Sequence, residues 1–240
     1  MIGDHMRQDE FRNRTVVVTG SARGIGRATA EIFSQTGATV FGVDIADQGN
    51  VPWETISIDL GEIDAAEKVL ETVPNAEILV NVHGLLEPLT IEDTTVQDFD
   101  RAIAINLRSV FFLCQKFAPV MAANGWGRII NFSSVVARTG SFSSAAYAAA
   151  KAGVIGTTKS FARRYAAEGV TVNSVVPAAV DTELNSFLKA KQRETIISEI
   201  PVGRFSEPEE FVQAIMFLSS DGAGFITGSS LDINGGWVMT

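Results

Sequence analysis

A tyrosine and a lysine four positions apart are the first residues in this sequence that could do chemistry. The run Tyr147-x-x-x-Lys151 places a phenol and an ammonium on one face of a helix. Ser134 comes thirteen residues earlier, directly after a predicted strand, and Asn106 lies in the preceding long helix. Such groups can take part in proton transfer. Because chance Tyr–Lys pairs are common, the elements that position this set decide whether it is a site.

A glycine-rich turn is the second candidate. Gly20, Gly24 and Gly26 follow a β-branched run and open a predicted helix. The first glycine permits a tight turn, the second lets a pyrophosphate approach the backbone, and the third allows the helix to pack closely on the strand. The helix N-terminus then offers N–H groups to phosphates. Three glycines could form a turn that has no binding role, but their position between a strand and a helix favours a dinucleotide site. We expect further cofactor contacts from Ser21, Arg23 and Ile25.

An acidic residue ends the second predicted strand. Asp44 can accept hydrogen bonds from the ribose hydroxyls of adenosine, and it would repel a 2′-phosphate. Arg23 argues weakly for NADP, since a guanidinium can pair with that phosphate. We give Asp44 more weight because an unpaired carboxylate facing a phosphate is costly, so the sequence favours NAD over NADP.

The elements that carry these residues alternate along the chain. Short apolar strands follow helical patterns, which predicts an α/β fold with a doubly wound parallel sheet of about seven strands and helices on both faces. We expect one domain over residues 13–240, with a substrate loop at about 180–200, and a disordered extension over residues 1–12. Ser206-x-x-Glu209 is a predicted capping box.

Composition excludes several classes of protein. The 240 residues carry 28 acidic and 19 basic side chains, a net charge of −9, which argues against nucleic-acid binding. The lone Cys114 and two distant histidines give no disulfide and no metal cluster. We see no apolar run near the ~18–20 residues that span a bilayer, so we expect a soluble, cytoplasmic protein with no membrane partner.

The two longest predicted helices, about 96–123 and 145–167, are apolar on more than one face. One such face would be buried against another subunit. The alternative is a helix that lies deep in its own core. The bulk of Phe111, Phe112 and Phe117 favours a homotetramer, or a homodimer.

Taken together, these motifs resemble the short-chain dehydrogenase/reductase family, over about residues 14–236. The matching pieces, in chain order, are Thr19-Gly-x-x-x-Gly-Ile-Gly26, Asp59, Asn81-x-x-Gly84, Asn106, Ser134, Tyr147-x-x-x-Lys151, Asn173, Pro177, Thr182 and Gly228. The resemblance implies a Rossmann fold and hydride transfer between a nicotinamide and a small secondary alcohol or ketone, without a metal.

The resemblance also implies roles for the matching residues. Tyr147 would be the general base in oxidation and the general acid in reduction, with its pKa lowered by Lys151 and by the oxidised nicotinamide. Lys151 would also bind the nicotinamide ribose, and Ser134 would hold the substrate oxygen. Asn106 would distort its helix and anchor a water. The implied cofactor contacts beyond the glycine turn and Asp44 are Asp59 at the adenine, Asn81, Gly84, Tyr147, Lys151, Pro177, Val180, and Thr182 at the carboxamide.

Two departures from the family pattern stand out. Val82-His83 replaces the usual Asn-Ala before Gly84. One interpretation is that His83 contacts the cofactor or substrate, but we favour a packing role behind the site. Ala178 replaces the usual glycine after Pro177, which questions the backbone angles of that loop because alanine disfavours a positive φ.

Three functional hypotheses remain. The first is an NAD-dependent oxidoreductase acting on a sugar, sugar acid, polyol or cyclic diol. The second is an NADPH-dependent 3-oxoacyl-(acyl-carrier-protein) reductase, which would need a basic docking patch that a net charge of −9 disfavours. The third is a non-catalytic dinucleotide-binding regulatory protein, which the intact catalytic set disfavours.

Overall fold

A seven-stranded sheet organises the chain, as the alternating pattern predicts. The computed structural model describes residues 10–141 and 143–239. Neighbouring strands pair in parallel in the order β3-β2-β1-β4-β5-β6-β7. The strands are β1 Thr15–Thr19, β2 Thr39–Asp44, β3 Glu54–Ser57, β4 Ile78–Asn81, β5 Gly127–Phe132, β6 Val170–Pro177 and β7 Ser230–Ile233.

Helices cover both faces of this sheet. They are α1 Gly24–Gln35, α2 Ala65–Thr72, α3 Val96–Ile103, α4 Ser109–Ala123, α5 Val136–Thr139, α6 Ala145–Tyr165, α7 Ala190–Glu199 and α8 Glu209–Ser219. The period-two alternation of β1 divides the core, since Val17 packs in the layer of α2, α4 and α6. Val16 and Val18 pack in the layer of α1 and α8. This two-layer burial holds the strand ends in fixed positions.

The strand order reverses at β1, which fixes where a ligand can bind. β1 pairs with β2 on one side and with β4 on the other. The chain therefore leaves β1 and β4 toward opposite faces, and a crevice opens beyond their carboxyl ends. Thr19 ends β1 beside Asn81 of β4 and Val43 of β2. The glycine turn begins at this point.

The long helix expected over about 96–123 is interrupted. A π-helical turn, Ala104–Arg108, separates α3 from α4. By length and composition, the stretch Val96–Ala123 is apolar enough to cross a membrane. One side of the stretch instead forms core, because Val110, Leu113 and Phe117 are fully buried against the sheet layer.

The folded chain begins earlier than residue 13. The Phe11 ring is buried and meets the Phe33 ring edge-on, with 5.2 Å between the ring centres. The Glu10 carboxylate accepts a hydrogen bond from the Asp221 backbone N–H. The core therefore includes part of the extension expected over residues 1–12, and residues 1–9 lie outside the described part.

The predicted substrate loop is a helical insertion with joined ends. It contains a 3-10 turn, Glu183–Asn185, and α7. An isolated bridge between Val180 and Ser206 joins the two ends. The predicted capping box is wrong, because the Ser206 hydroxyl donates to the Ala179 carbonyl instead of capping α8.

Candidate active site

Three of the predicted catalytic side chains meet at the floor of one cleft. Tyr147 and Lys151 lie one turn apart on α6, and Ser134 follows β5. Lys151 Nζ donates a 2.9 Å hydrogen bond to the Phe132 carbonyl, and it lies 5.6 Å from the centre of the Tyr147 ring. The Ser134 hydroxyl is near enough to the Tyr147 phenol to lower the pKa of that phenol. This arrangement can hold an oxygen and exchange its proton.

Burial sets the ionisation of this pair. It raises the pKa of Tyr147 to about 12, and the Ser134 hydroxyl lowers that pKa only in part. Burial also lowers the pKa of Lys151 to about 8. The lowered phenol pKa expected from Lys151 is therefore not produced by the protein alone, because desolvation of the phenol dominates. The ammonium bonds a backbone carbonyl, which is consistent with this result.

Asn106 lies behind the cleft wall, at the centre of the π-helical turn. Its side chain is fully buried. Its Oδ1 accepts from the Leu85 N–H at 3.0 Å, and its Nδ2 donates to the Leu85 and Ala102 carbonyls. A methyl group added at Gly84 would lie 3.0 Å from Asn106 Oδ1 and 3.5 Å from Lys151 Nζ. Only glycine leaves this space between the two side chains open.

The glycine turn forms the opposite end of the cleft. Gly20 and Gly24 have φ of +73° and +54°, which favour glycine. A Cβ at Gly26 would lie 2.0 Å from the Gly20 carbonyl oxygen. Arg23, the N-cap residue of α1, makes no side-chain cap bond, and the first turn of α1 holds no acid. This cradle therefore fits a pyrophosphate group, which needs close backbone approach and helix N–H donors.

Asp44, the last residue of β2, lines the cleft beside the glycine turn. Its Oδ2 accepts from the Ala22 N–H at 3.0 Å, and its Oδ1 accepts from the Ala46 N–H at 2.9 Å. These bonds fix the carboxylate beside the glycine turn. The Arg23 guanidinium instead reaches Glu183 of the substrate loop, with 3.7 Å between Nε and Oε2. The acid is thus held in place, whereas the cation is paired elsewhere.

The cleft has a volume of about 430 Å³. It brings together most of the predicted site residues: Gly20, Arg23, Gly24, Ile25, Gly26, Asp44, Asp59, Gly84, Ser134, Tyr147, Lys151, Pro177, Val180 and Thr182. Among the described residues that line it, the charged ones are Arg23, Asp44, Asp59, Lys151 and Glu183.

The structure does not bring Ser21 and Asn81 to the cleft. Both are fully buried. The Ser21 hydroxyl donates to Gln48 Oε1 at 2.9 Å, beneath the glycine turn. Asn81 Nδ2 donates to Asn131 Oδ1 at 2.8 Å, inside the sheet. The direct cofactor contacts predicted for these two side chains are therefore corrected to bonds that hold the site from behind.

Sequence reasoning missed one support of the cofactor end. Gln48 is buried in the short β2–β3 connection. Its Oε1 accepts from Ser21 and from Trp53 Nε1 at 2.9 Å each, and its Nε2 donates to the Gly42 carbonyl at 2.8 Å. No periodicity marks such a residue. The sequence between Asp44 and the next strand has no helical pattern, and this is the one feature that could have indicated an irregular connection with buried polar groups.

The alanine after Pro177 causes no strain. Asn13 is the one non-glycine residue with a positive φ in the described part of the chain. Ala178 therefore lines the cleft with ordinary backbone angles. The loop does not need the glycine of the family pattern.

Comparison with known proteins gives consistent results. Residues 20–238 match the family model described as enoyl-(acyl carrier protein) reductase. The 3-oxoacyl-(acyl-carrier-protein) reductase of Thermotoga maritima is 37% identical over 244 residues, covering 95% of this chain and 99% of that protein. The structure of a protein described as an NAD(P)-dependent gluconate 5-dehydrogenase from Beutenbergia cavernae, with NADP bound at low occupancy, has a TM-score of 0.90 and 32% identity. It covers 96% of this chain and 98% of its own.

A second similar structure belongs to a protein that is named for the 3-oxoacyl reductase activity. It is a 3-oxoacyl-(acyl-carrier-protein) reductase from Agrobacterium tumefaciens with NADP bound, with a TM-score of 0.87 and 30% identity. It covers 98% of this chain and all of its own. The chain thus shares its fold and nearly its whole length with enzymes named for different substrates.

Proposed function

Because the chain belongs to the short-chain dehydrogenase/reductase family and is an oxidoreductase of CH–OH and keto groups, we propose that it uses NAD(H) as its cofactor. Its proposed substrate is an uncharged secondary alcohol or ketone, with a cyclic diol as the first candidate. The observation that carries the substrate proposal is the lining of the cleft: apolar side chains predominate away from the glycine turn, and the two cations among the described lining residues are Lys151 and Arg23, which pairs with Glu183.

The chemistry requires a proton and a hydride to move together. When bound, the nicotinamide accepts or supplies the hydride, and its oxidised form adds a positive charge beside the phenol. Ser134 holds the substrate oxygen, and Tyr147 removes its proton in oxidation or donates one in reduction. Lys151 holds a positive charge near the phenol when protonated, and Asn106 and Gly84 form the wall behind it. Apolar side chains of the substrate loop exclude water from this floor.

The NAD preference rests on Asp44. Its two carboxylate oxygens are fixed by backbone N–H groups, so the charge cannot turn away from a 2′-phosphate without breaking both bonds. Two similar structures hold NADP, and Arg23 is the cation that could accommodate its phosphate. Release of Arg23 from Glu183 would be needed first. Titration of NADH and NADPH by fluorescence tests this point, and tighter binding of NADPH would refute it.

The lining of the cleft disfavours a carboxylate substrate. A sugar acid placed opposite the glycine turn would leave its carboxylate unpaired, which is costly in a partly buried site. Two polar side chains there are already bonded within the protein, Ser144 to Ser141 and Asn185 to the Val180 carbonyl. Many substrate hydroxyls would therefore also lack partners. A ring with one or two hydroxyls fits the remaining apolar walls, which include Leu86, Leu184 and Trp237.

A 3-oxoacyl-(acyl-carrier-protein) reductase is the second candidate. The curated relatives with that name at 34–38% identity favour it, as does the apolar lining, which an acyl chain would also fit. The net charge of −9 disfavours docking of an acidic carrier protein. The substrate panel below separates the two.

We further propose a homotetramer or homodimer in the cytoplasm. Phe111 and Phe112 on α4 are each 39% exposed, and Phe111 meets the Phe161 ring of α6 edge-on at 5.3 Å between ring centres. This aromatic surface, on helices also predicted to be apolar on two faces, supports burial against a second copy. Light scattering at micromolar concentration tests it, and a monomer would refute it.

The function is tested with a matched substrate panel, followed at the NADH absorbance. We expect the highest kcat/KM for cis-1,2-cyclohexanediol, less for glucitol, and least for gluconate, which carries the carboxylate that glucitol lacks. The highest value for gluconate would refute the uncharged-substrate proposal, and the highest for acetoacetyl-CoA reduction would favour the second candidate. Tyr147→Phe should abolish turnover and retain NADH binding; unchanged turnover would refute the role of Tyr147.

A further inference from the structure

His83 is a buried imidazole in the wall of the cleft. It follows β4, and 7% of its surface is exposed. Its Nδ1 lies 2.6 Å from Thr19 Oγ1, and its Nε2 lies 2.7 Å from Ser109 Oγ. A polar ring in such a place is costly unless both nitrogens are hydrogen-bonded, and here both are. The ring thus links the end of β1 to the start of α4.

The hydroxyl partners fix one tautomer of this ring. The Ser109 hydroxyl donates to the Ile105 carbonyl at 2.5 Å, so its oxygen is free to accept the Nε2–H of His83. Nδ1 is then the acceptor for the Thr19 hydroxyl. Burial and the nearby Lys151 charge lower the pKa of His83 to about 3, so the ring stays neutral at every working pH.

Ser109 compensates for the π-helical turn. In a regular α-helix the Ile105 carbonyl would accept from the backbone N–H of Ser109. Here that N–H bonds the Ala104 carbonyl, five residues back. The Ser109 hydroxyl takes over as the donor to Ile105. The bond from His83 therefore orients a side chain that makes up for a donor displaced by the π geometry, and the His83 ring itself also interacts with the Ile105 backbone.

The same π-helical turn carries Asn106, which bonds Leu85, a residue of the cleft wall two positions after His83. Asn106 bonds both backbone groups of Leu85, and His83 bonds Ser109 three residues further along. The segment His83-Gly84-Leu85 is thus tied to the π-turn at both ends. Gly84 lies between these ties, against Lys151 Nζ.

We propose that His83 is a positioning residue that, through Ser109, holds the π-turn in register with the wall and so fixes Asn106 and the Gly84 backbone against Lys151. The family pattern has a small residue at this position, so the link belongs to this chain. The Thr19 bond and the close approach of Gly20 place His83 beside the start of the glycine turn, and its bond to Ser109 acts on the proton-transfer end of the cleft.

The first test needs no substrate. Hydrogen exchange of the Leu85 amide, which donates to Asn106, reports on the wall directly. We expect His83→Leu and Ser109→Ala each to speed this exchange about 10-fold, and the double variant to add little, because the two side chains act through one bond. Cys114→Ala is the matched control, a buried truncation on the same helix, and should leave the Leu85 amide unchanged. Equal exchange in all variants would overturn the proposal.

The second test separates positioning from general destabilisation. Steady-state reduction of 1,2-cyclohexanedione by NADH should show kcat lowered about 10-fold in both His83→Leu and Ser109→Ala. In Ser109→Ala, which leaves the bond between His83 and Thr19 in place, the KM for NADH should stay within about twofold of wild type. His83→Gln, which keeps an N–H donor near Ser109, should recover most of kcat. A raised KM for NADH with unchanged kcat, or additive losses in the double variant, would refute the positioning role. If His83→Leu does not fold, Ser109→Ala alone decides the question.

Discussion

Gln48→Leu is the change that tests most directly how the cofactor end is built. Leucine is one atom shorter than glutamine but similarly bulky, and it removes the three hydrogen bonds, to Ser21, Trp53 and Gly42. The Ser21 hydroxyl can turn to another acceptor, but the Trp53 N–H and the Gly42 carbonyl lose their buried partner. At ~1–3 kcal/mol for each unsatisfied group, the free energy of unfolding should fall by about 2–6 kcal/mol.

This loss should be visible in two assays. At ~2–4 °C per kcal/mol for a domain of this size, a central loss of about 4 kcal/mol lowers Tm by about 12 °C. The glycine turn also loses the anchor of Ser21. One backbone residue of the turn would then become ordered only when NADH binds, and that ordering costs ~1–2 kcal/mol. The Kd for NADH should therefore rise on the order of tenfold.

The cofactor ratio gives the sharper readout. The pyrophosphate is common to NADH and NADPH, so both dissociation constants should rise by the same factor. Gln35→Leu, on the exposed face of α1, is the matched control and should change stability by less than ~0.5 kcal/mol. A Tm within ~2 °C of wild type would refute the reasoning about buried partners. A change in the NADH to NADPH ratio would place the effect at the adenosine instead.

Three further outcomes are expected. Gly26→Ala should abolish NADH binding, because its Cβ meets the Gly20 carbonyl at 2.0 Å, whereas Gly156→Ala, in open space on α6, should bind normally in the same titration. Lys151→Met should raise the Tm of the cofactor-free protein near pH 7. This gain in Tm should shrink between pH 8 and 10.5, because native Lys151, with its pKa of about 8, has then lost its proton, whereas the lysine of the unfolded chain retains it. Cys114, whose pKa burial raises to about 12, should react with a thiol reagent at pH 8 only after unfolding; labelling of the native protein would contradict its burial.

The strand pattern predicts the cleft because two simple rules combine. Continuous apolar runs indicate strands buried on both faces, and helices between them require parallel pairing, so the ends of β1 and β4 must lie at one edge. Helix periodicity then places Tyr147 and Lys151 on one side of α6. These local rules account for the sheet, for the glycine turn and for the placement of Tyr147 and Lys151 in the cleft.

Side-chain direction at the cleft wall follows from contacts that are distant in sequence. Ser21 turns inward because Gln48, 27 residues later, offers an acceptor. Asn81 turns into the sheet because the register places Asn131 opposite it. The π-turn at Asn106 has no propensity signal of its own, since it depends on groups from Leu85 and Ser109. None of these partners is set by spacing along the chain.

The bridge between Val180 and Ser206 has a consequence for how such an enzyme can diversify. Both ends of the insertion are hydrogen-bonded together, since the Asp181 N–H donates to the Ser206 carbonyl and the Ser206 N–H to the Ala179 carbonyl. A different segment entering and leaving at this clasp would not have to re-form the strands beneath it, and loop-closure entropy changes only slowly with its length. Residues 183–199 could therefore be exchanged for another segment without change to the strands beneath or to the proton-transfer residues, whereas Thr182, a predicted cofactor contact in the lining of the cleft, would stay in place.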